Sequence, residues 1–360
     1  MAIRMTGQLP RLGQSLWLDN ITRELLESDT LKRYVEDLSV TGLTSNPAIF
    51  NSAISDSSLY DNDIRSQLNS KKVGEELFFD LAIHDLRRAA DLFFPVYQQT
   101  SSVDGFVSLE VSPLLAHDTH ATIEQALKLY AKAGKPNLFI KIPGTPEGLL
   151  AIEESIFSGV PINVTLLFSA DQYKAAADAY MNGLERRLKA GLSVDVRSVA
   201  SIFVSRWDVA VADKVPTELR NALGIAISRQ TYKAYRDILD SDRFKCLENA
   251  GARAQRLLFA STGTKDKAAS DTLYVSGLIA ANTINTMPES TLLAFADHGV
   301  IESVLSRDGG DADSVLAKHV DAGIDLTALS IELQSNGADS FVKSWKEILA
   351  AIESKRRDTT

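Results

Sequence analysis

Cysteine is almost absent from this chain. Its 360 residues include one, Cys246, which excludes a disulfide framework and a zinc site built from cysteines. The chain also lacks any run of about 18 apolar residues, the length that a membrane-spanning helix requires. Residues 1–8 lack the apolar segment of a secretory signal peptide. We therefore expect a cytoplasmic protein with no membrane partner.

Positive charge is scarce as well. Lys and Arg number 38 against 47 Asp and Glu, which gives a net charge of −9. An acidic surface repels phosphodiester backbones, and no basic cluster stands out, so nucleic-acid binding is not expected. No linker rich in Pro, Gly or Ser divides the chain. We expect one domain over residues 1–360, as a monomer or homodimer.

Short apolar runs recur along the chain, each followed by a loop and a helical stretch. Eight of them have the length and composition of strands: Leu16–Asn20, Gly42–Asn46, Phe106–Ser112, Leu138–Pro143, Ile162–Phe168, Val199–Ser205, Arg256–Ser261 and Asn282–Met287. The runs are separated by stretches in which apolar residues recur at helical spacing, as at Phe79, Ile83 and Leu86. Strands alternating with helices indicate parallel βαβ units, and eight units predict a closed (β/α)8 barrel.

The chain is longer than such a barrel needs. The excess lies in an insertion around 47–104, a connection around 207–255 and a C-terminal helical region at about 289–355. We therefore predict an α/β fold, a (β/α)8 TIM barrel with strands within about 16–287 and extra helices after strand 2 and at the C-terminus. An open doubly wound sheet is the alternative, but no Gly-x-Gly-x-x-Gly follows a strand.

Alternation along the strands divides outward from inward side chains. Outward positions are apolar, as at Leu138, Ile140 and Ile142, and on the fifth strand Leu166 is expected to face outwards. The predicted inward set is polar or aromatic: Trp17, Asp19, Thr44, Asn46, Ser108, Glu110, Ser112, Phe139, Lys141, Asn163, Thr165, Ser201 and Phe203. A barrel interior that serves stability alone holds Val, Ile and Leu. The interior therefore predicts a functional site.

Lys141 is the most unusual member of this set, because lysine is almost never fully buried without a reason. A structural ion pair with Glu110 or Asp19 is the alternative interpretation. Burial disfavours the ammonium, and a neutral amine attacks a ketone to form an iminium, which weakens the adjacent carbon–carbon bond. Asp19 and Glu110 lie on different strands and can divide the proton transfers. This chemistry needs neither a metal nor a cofactor.

Neutral polar groups suit a sugar-like substrate. Asn46 and Asn163 can hold hydroxyls without adding charge, and Thr165 and Ser201 can position a water. A loop after the seventh strand, 260–265, adds hydroxyls, a glycine and a lysine. Loops after strands seven and eight are the usual phosphate site of this fold, although a surface turn is an equal alternative here.

Six segments of the chain resemble the transaldolase family of Schiff-base aldolases. They occur in order between about residues 15 and 300: Trp17-Leu-Asp19-Asn20, Thr41-Gly-Leu-Thr-Ser-Asn46-Pro47, Val107-Ser-Leu-Glu110-Val, Leu138-Phe-Ile-Lys141-Ile-Pro, Asn163-Val-Thr165-Leu-Leu-Phe168 and Ala200-Ser201-Ile-Phe203-Val-Ser-Arg206. The resemblance implies an α/β barrel that transfers a dihydroxyacetone unit between sugar phosphates in the pentose phosphate pathway. Sedoheptulose 7-phosphate and glyceraldehyde 3-phosphate would give erythrose 4-phosphate and fructose 6-phosphate.

The resemblance also implies roles for individual residues. Lys141 would form the imine, Glu110 would be the acid/base acting through a water held by Thr165, and Asp19 would be the base in cleavage. The expected substrate contacts are Thr44, Asn46, Asn163, Ser201 and Phe203. The expected phosphate contacts are Arg206, Ser261 and Lys265. Lys265 departs from the family, in which many members have an arginine shortly after the serine that matches Ser261.

Two other functions fit the same residues. A free aldolase would release dihydroxyacetone instead of passing it to an aldehyde; Phe203 favours transfer, because it has no hydroxyl to serve a hydrolytic water. A non-catalytic sugar-phosphate-binding barrel would need the phosphate contacts but not Lys141, Asp19 and Glu110 together.

Overall fold

Eight parallel strands form the centre of the molecule in a computed structural model that describes residues 5–66 and 73–357. The strands are β1 Gln14–Asp19, β2 Val40–Thr44, β3 Val107–Glu110, β4 Leu138–Pro143, β5 Ile162–Leu167, β6 Ser198–Phe203, β7 Arg256–Ala260 and β8 Thr283–Met287. Their order in the sheet is β2-β1-β8-β7-β6-β5-β4-β3. The bounds of β4 match the predicted ones, and the other ends differ by at most two residues.

One backbone hydrogen bond links the two edges of this sheet. The amide of Leu43 in β2 donates to the carbonyl of Phe106, immediately before β3, at 3.0 Å. The sheet is therefore a nearly closed barrel, and the predicted (β/α)8 fold is confirmed.

Helices surround the barrel. They are α1 Arg23–Glu27, α2 Thr30–Leu38, α3 Pro47–Ser55, α4 Asp61–Ser66, α5 Glu75–Gln99, α6 Thr119–Ala133, α7 Pro146–Phe157, α8 Ala170–Lys189, α9 Ser205–Val211, α10 Leu223–Asp240, α11 Asp242–Asn249, α12 Leu273–Gly277, α13 Glu289–His298, α14 Ala312–Asp321 and α15 Leu326–Arg357. The predicted extra helices are present: α3, α4 and α5 lie between β2 and β3, and α13 to α15 follow β8. No helix of the described residues is long and apolar enough to cross a membrane.

Side-chain caps hold several helices just beyond the carboxyl ends of the strands. Asn46 Oδ1 accepts a hydrogen bond from the amide of Ile49 at 3.1 Å, and Pro47 occupies the first turn of α3. Thr145 caps α7 and Ser169 caps α8 in the same way. Each cap satisfies an amide that the helix leaves unpaired. These caps fix the loops at one end of the barrel, where the site lies.

The predicted alternation separates two hydrophobic layers. Outward residues of the strands, such as Leu138 and Ile140, pack in the core between barrel and helices. Inward aromatic residues fill the amino-terminal half of the interior, where the Phe106 and Phe139 rings stack with centroids 4.2 Å apart. Trp17 lies beside them and donates from Nε1 to Asp104 at 2.7 Å. The polar residues of the predicted site lie at the other end, where the strands have their carboxyl ends.

Leu166 corrects the predicted alternation. The register between β5 and β6 shifts between Val164 and Leu167, so that two residues of β5 lie opposite one of β6. Leu166 adopts a left-handed conformation with φ of 59° and joins the inner hydrophobic cluster. The outward prediction for Leu166 was therefore wrong. Such a bulge redirects side chains and is frequent beside active sites.

Candidate active site

A cavity of about 180 Å³ opens at the carboxyl ends of the strands. Ten of the predicted site residues line it: Asp19, Thr44, Asn46, Lys141, Thr165, Ser201, Phe203, Arg206, Ser261 and Lys265. Glu110 and Asn163 do not line the cavity, but each contacts a residue that does. The predicted set is therefore one cluster in space.

Lys141 is held inside the barrel by two neighbouring strands. Residue pairing places Glu110 of β3 and Asn163 of β5 directly beside it. Its Nζ lies 3.2 Å from Glu110 Oε2 and donates to the carbonyl of Ser45 at 3.1 Å. The residue exposures of Lys141 and Glu110 are 5% and 6%. The lysine and its carboxylate are thus close enough to exchange a proton.

Asp19 lies on the other side of the site. It pairs with Thr44 between β1 and β2, and Thr44 Oγ1 donates to Asp19 Oδ1 at 2.7 Å. Thr286 on β8 shares a 2.7 Å hydrogen bond with the same hydroxyl. This chain of contacts orients one carboxylate oxygen and leaves the group facing the cavity.

Burial changes the protonation of both carboxyl groups. Burial raises the pKa of Asp19, although Lys141 and the Thr44 hydroxyl oppose the shift. Burial likewise raises the pKa of Glu110, and Lys141 opposes it there too. A carboxylate that gains a proton more readily than usual is suited to act as a general base or acid near neutral pH.

Two buried oxygen atoms beside the lysine retain hydrogen-bonding capacity. Glu110 Oε2 and Thr165 Oγ1 have no hydrogen-bond partner among the described residues, although the Lys141 ammonium lies 3.2 Å from Oε2. Buried polar atoms are nearly always satisfied in a purely structural setting. These two are therefore available to a ligand or a reacting group.

The two asparagines have different surroundings. Asn46 uses its Oδ1 to cap α3, which leaves its amide N–H groups available at the cavity wall. Asn163 is fully buried; its Nδ2 donates to Ser108 at 3.1 Å, and its Oδ1 accepts from Ser201 at 2.8 Å. In this arrangement Asn163 positions Ser201, while its role as a substrate contact stays a prediction.

Positive charge gathers at the end of the cavity near β6 and β7. The Arg206 guanidinium lies 5.1 Å from the Phe203 ring centroid and 6.0 Å from that of Phe341. Burial lowers the pKa of Arg206, and Glu110 opposes this shift from a distance. Among the described residues no carboxylate forms a salt bridge with Arg206. A partly buried cation without a paired anion indicates a binding site for one.

Ser261 and Lys265 belong to the loop after β7. Ser261 has a left-handed backbone with φ of 57°, and its hydroxyl lies 2.8 Å from that of Ser205. Lys265 is exposed at the rim of the cavity, and its charge lowers the pKa of Asp19 slightly against the effect of burial. Arg206, Ser261 and Lys265 therefore border one end of the cavity.

The sequence did not predict four contributors to this site. The Ser45 carbonyl accepts a hydrogen bond from Lys141, and the Thr286 hydroxyl shares one with Thr44. Ser340 and Phe341 of α15 line the cavity. The predicted strand 8 contained Thr286, so its alternation was a usable signal. Nothing local marks Phe341, because its position depends on where α15 crosses the barrel. No group of His, Cys, Asp and Glu within the described ranges could hold a metal ion.

Comparison with known proteins gives a consistent result. Residues 16–352 match the family model described as Transaldolase/Fructose-6-phosphate aldolase. The transaldolase of Trichodesmium erythraeum is 38% identical over 98% of this chain and 98% of its own length. The transaldolase of Mycobacterium tuberculosis is 42% identical over 96% of this chain and 97% of its own length. The chain therefore belongs to the transaldolase/fructose-6-phosphate aldolase family.

Proposed function

We propose that this chain is a transaldolase that moves a dihydroxyacetone unit between sugar phosphates through an imine on Lys141. The donor is a ketose phosphate, sedoheptulose 7-phosphate or fructose 6-phosphate, and the acceptor is glyceraldehyde 3-phosphate or erythrose 4-phosphate, as in the pentose phosphate pathway. The observation that carries the proposal is the placement of Lys141, buried 3.2 Å from Glu110 at the wall of a polar cavity.

Imine formation begins with a proton transfer. Glu110, whose pKa burial raises, takes a proton from the Lys141 ammonium and leaves a neutral amine. The amine attacks the ketone carbon of the donor to give a carbinolamine. Glu110 then returns the proton, through a water held by Thr165, to the hydroxyl that leaves as water. The unpartnered oxygens of Glu110 and Thr165 support this assignment.

Cleavage uses the other carboxylate. Asp19 removes the proton from the C4 hydroxyl of the bound sugar, the bond between C3 and C4 breaks, and its electrons pass to the iminium to form an enamine. The aldose leaves, and a second aldehyde reverses the sequence. The iminium is the electron sink, so the proposed chemistry needs no cofactor.

The remaining residues bind the substrate. Asn46, Ser201 and Phe203 border the three-carbon unit, Thr44 fixes Asp19, and Asn163 supports Ser201. Arg206, Ser261 and Lys265 bind the phosphate at the far end. A lysine at the rim acts as a point charge and not as the planar fork of an arginine.

Trapping the imine tests the proposal. Incubation with fructose 6-phosphate and borohydride should inactivate the enzyme and leave a three-carbon adduct on the peptide that contains Lys141. Peptide mapping by mass spectrometry locates the adduct, and the same treatment without sugar is the control. An adduct on another lysine, or none, would contradict the mechanism. If no adduct forms but the protein still binds phosphorylated sugars, a non-catalytic sugar-phosphate-binding barrel is favoured.

A free aldolase is the second candidate, since the family description includes fructose-6-phosphate aldolase. It would release dihydroxyacetone from fructose 6-phosphate without an acceptor. We infer transfer instead, because Phe203 has no hydroxyl to serve a hydrolytic water. The cytoplasmic location, the single domain and the monomeric or homodimeric state stay predictions.

A further inference from the structure

Helix α15 crosses the mouth of the barrel and is anchored on two sides of it. Gln334 Nε2 donates to the carbonyls of Gly144 at 3.1 Å and Leu166 at 2.9 Å, just past β4 and within the bulge of β5. Trp345 Nε1 donates to Glu75 of α5 at 2.8 Å. The helix is therefore fixed to the β4/β5 side of the barrel and to the helix that precedes β3.

The spacing between these anchors directs one face of α15 at the site. Residues 334, 337, 341 and 345 are three or four positions apart and share a face of the helix. A Cβ at Gly337 would lie 2.9 Å from Leu166 Cδ2 and 3.2 Å from Arg206 Nη1. The glycine thus permits a close approach of the helix to the barrel.

Phe341 is the residue of this face that lies over the reacting groups. Its ring is 5.5 Å from Lys141 Nζ and 6.0 Å from Arg206 Cζ, and the residue is 5% exposed. Both distances suit contact of a cation with an aromatic face. The ring therefore lies beside the lysine in the wall of the cavity.

We propose that Phe341 protects the bound three-carbon unit from water, so that the unit passes to an aldehyde. This inference rests on the function proposed above. Hydrolysis of the enamine consumes one water: carbon takes a proton, water oxygen bonds to the imine carbon, the carbon–nitrogen bond breaks, and dihydroxyacetone leaves the free amine. A phenyl ring beside Nζ occupies space from which water would reach that carbon.

Truncation of the ring should therefore raise hydrolysis. The measurement is free dihydroxyacetone released per fructose 6-phosphate cleaved, with and without glyceraldehyde 3-phosphate. Phe341→Ala should raise this ratio about tenfold, whereas Phe341→Leu, which refills most of the volume without an aromatic face, should stay within about twofold of the parent. Ile331→Ala, at an exposed position of the same helix, should leave the ratio unchanged.

The outcomes separate this inference from the function on which it rests. An unchanged ratio in Phe341→Ala, or an equal rise in Phe341→Leu, would overturn it, provided that borohydride still traps an adduct on Lys141. If the parent enzyme forms no adduct, the proposed function fails first. Should Phe341→Ala not fold, Phe341→Val gives the same test with a smaller expected rise.

Discussion

Two groups of buried charges lie in this barrel, and their surroundings differ. The lysine cluster lies within the barrel beside the cavity and consists of Asp19, Glu110 and Lys141. The arginine cluster lies among α1, α4 and α5 and consists of Arg23, Asp63 and Asp85. Each cluster contains one buried pair of opposite charges, Lys141 with Glu110 and Arg23 with Asp85, so burial alone does not distinguish them.

Hydrogen bonding does distinguish them. Arg23 donates to Asp85 at 3.0 Å and to the carbonyl of Leu59 at 3.0 Å, and it lies 2.7 Å from Asp63. The Tyr60 ring covers its guanidinium at 4.2 Å. In the lysine cluster, the hydrogen bonds found among the described residues are one from Lys141 to the Ser45 carbonyl and one from Thr44 to Asp19. Each cluster contains a buried atom without an aligned partner, Glu110 Oε2 in one and Arg23 Nη2 in the other, so the clusters differ in how many hydrogen bonds hold the central cation. A buried cation held by several partners serves the fold, whereas one held by few partners next to the predicted substrate contacts is available for chemistry.

Replacement of Lys141 should give the largest effect. Lys141→Met removes the amine but keeps most of the volume, so activity should fall by about 10⁴-fold or more, because the other lysine of the cavity lining, Lys265, is exposed at the rim and has no buried acid/base beside it. Because Lys141→Met leaves Glu110 buried without its partner, the free energy of unfolding should also fall, by about 3–5 kcal/mol. A large loss of stability with activity retained would instead make Lys141 a structural ion-pair partner.

Replacement of Arg23 should lower stability without lowering activity. Arg23→Met leaves Asp85 buried without a partner, which should lower the free energy of unfolding by about 3–5 kcal/mol. The kcat of the folded fraction should stay within about twofold, because Arg23 contacts no residue of the lysine cluster. The double variant Arg23→Met/Asp85→Leu should recover most of the loss. Reduced kcat with unchanged stability would remove the distinction between the clusters.

Much of the lysine cluster could be predicted from alternation alone. In the run Leu138–Pro143, a period of two places Lys141 on the face opposite Ile140 and Ile142, and the barrel then brings inward residues of different strands together. The bulge at Leu166 could not be predicted this way, because a leucine with positive φ has no local signature.

The rest of the site depends on contacts between distant segments. Phe341 reaches Lys141 because Gln334 and Trp345 fix α15 across the barrel, and no periodicity within α15 specifies which end of the barrel it crosses. The Arg23 and Asp85 pair joins two surface helices that are 62 residues apart in the chain. Helical periodicity predicts a buried face for each helix but not the partner that a buried charge will find.

Replacement of Asp19 should show that its negative charge is needed for the reaction but lowers the stability of the folded protein. Because burial raises its pKa above the ordinary 3.8, the folded state binds the proton more tightly than the unfolded state. Stability therefore falls as pH rises from 3.8 through the raised value, and the loss is complete above it. Asp19→Asn should reduce kcat by about 10³-fold, yet raise the melting temperature at pH 7 by about 1–3 °C, since Asp19 faces the cavity.

That gain should shrink as the pH is lowered and disappear below 3.8, where aspartate is neutral like asparagine in both the folded and the unfolded state. Melting curves at a series of pH values check the sign. Asp37→Asn, at an exposed position of α2, is the control and should change neither kcat nor the curve. Destabilisation by Asp19→Asn at neutral pH would place Asp19 with the structural charges of the arginine cluster.

Lys265 should give the smallest effect, because its charge is exposed and screened. Lys265→Ala should raise KM for fructose 6-phosphate about three- to tenfold, consistent with roughly 1 kcal/mol for an exposed ionic contact. The kcat should be nearly unchanged, and the difference should shrink as salt rises. Lys267→Ala is the matched control: it lies on the same loop and is exposed, but it does not border the cavity. Equal effects of the two variants would mean general attraction of the anionic sugar, and phosphate binding would then rest on the partly buried Arg206.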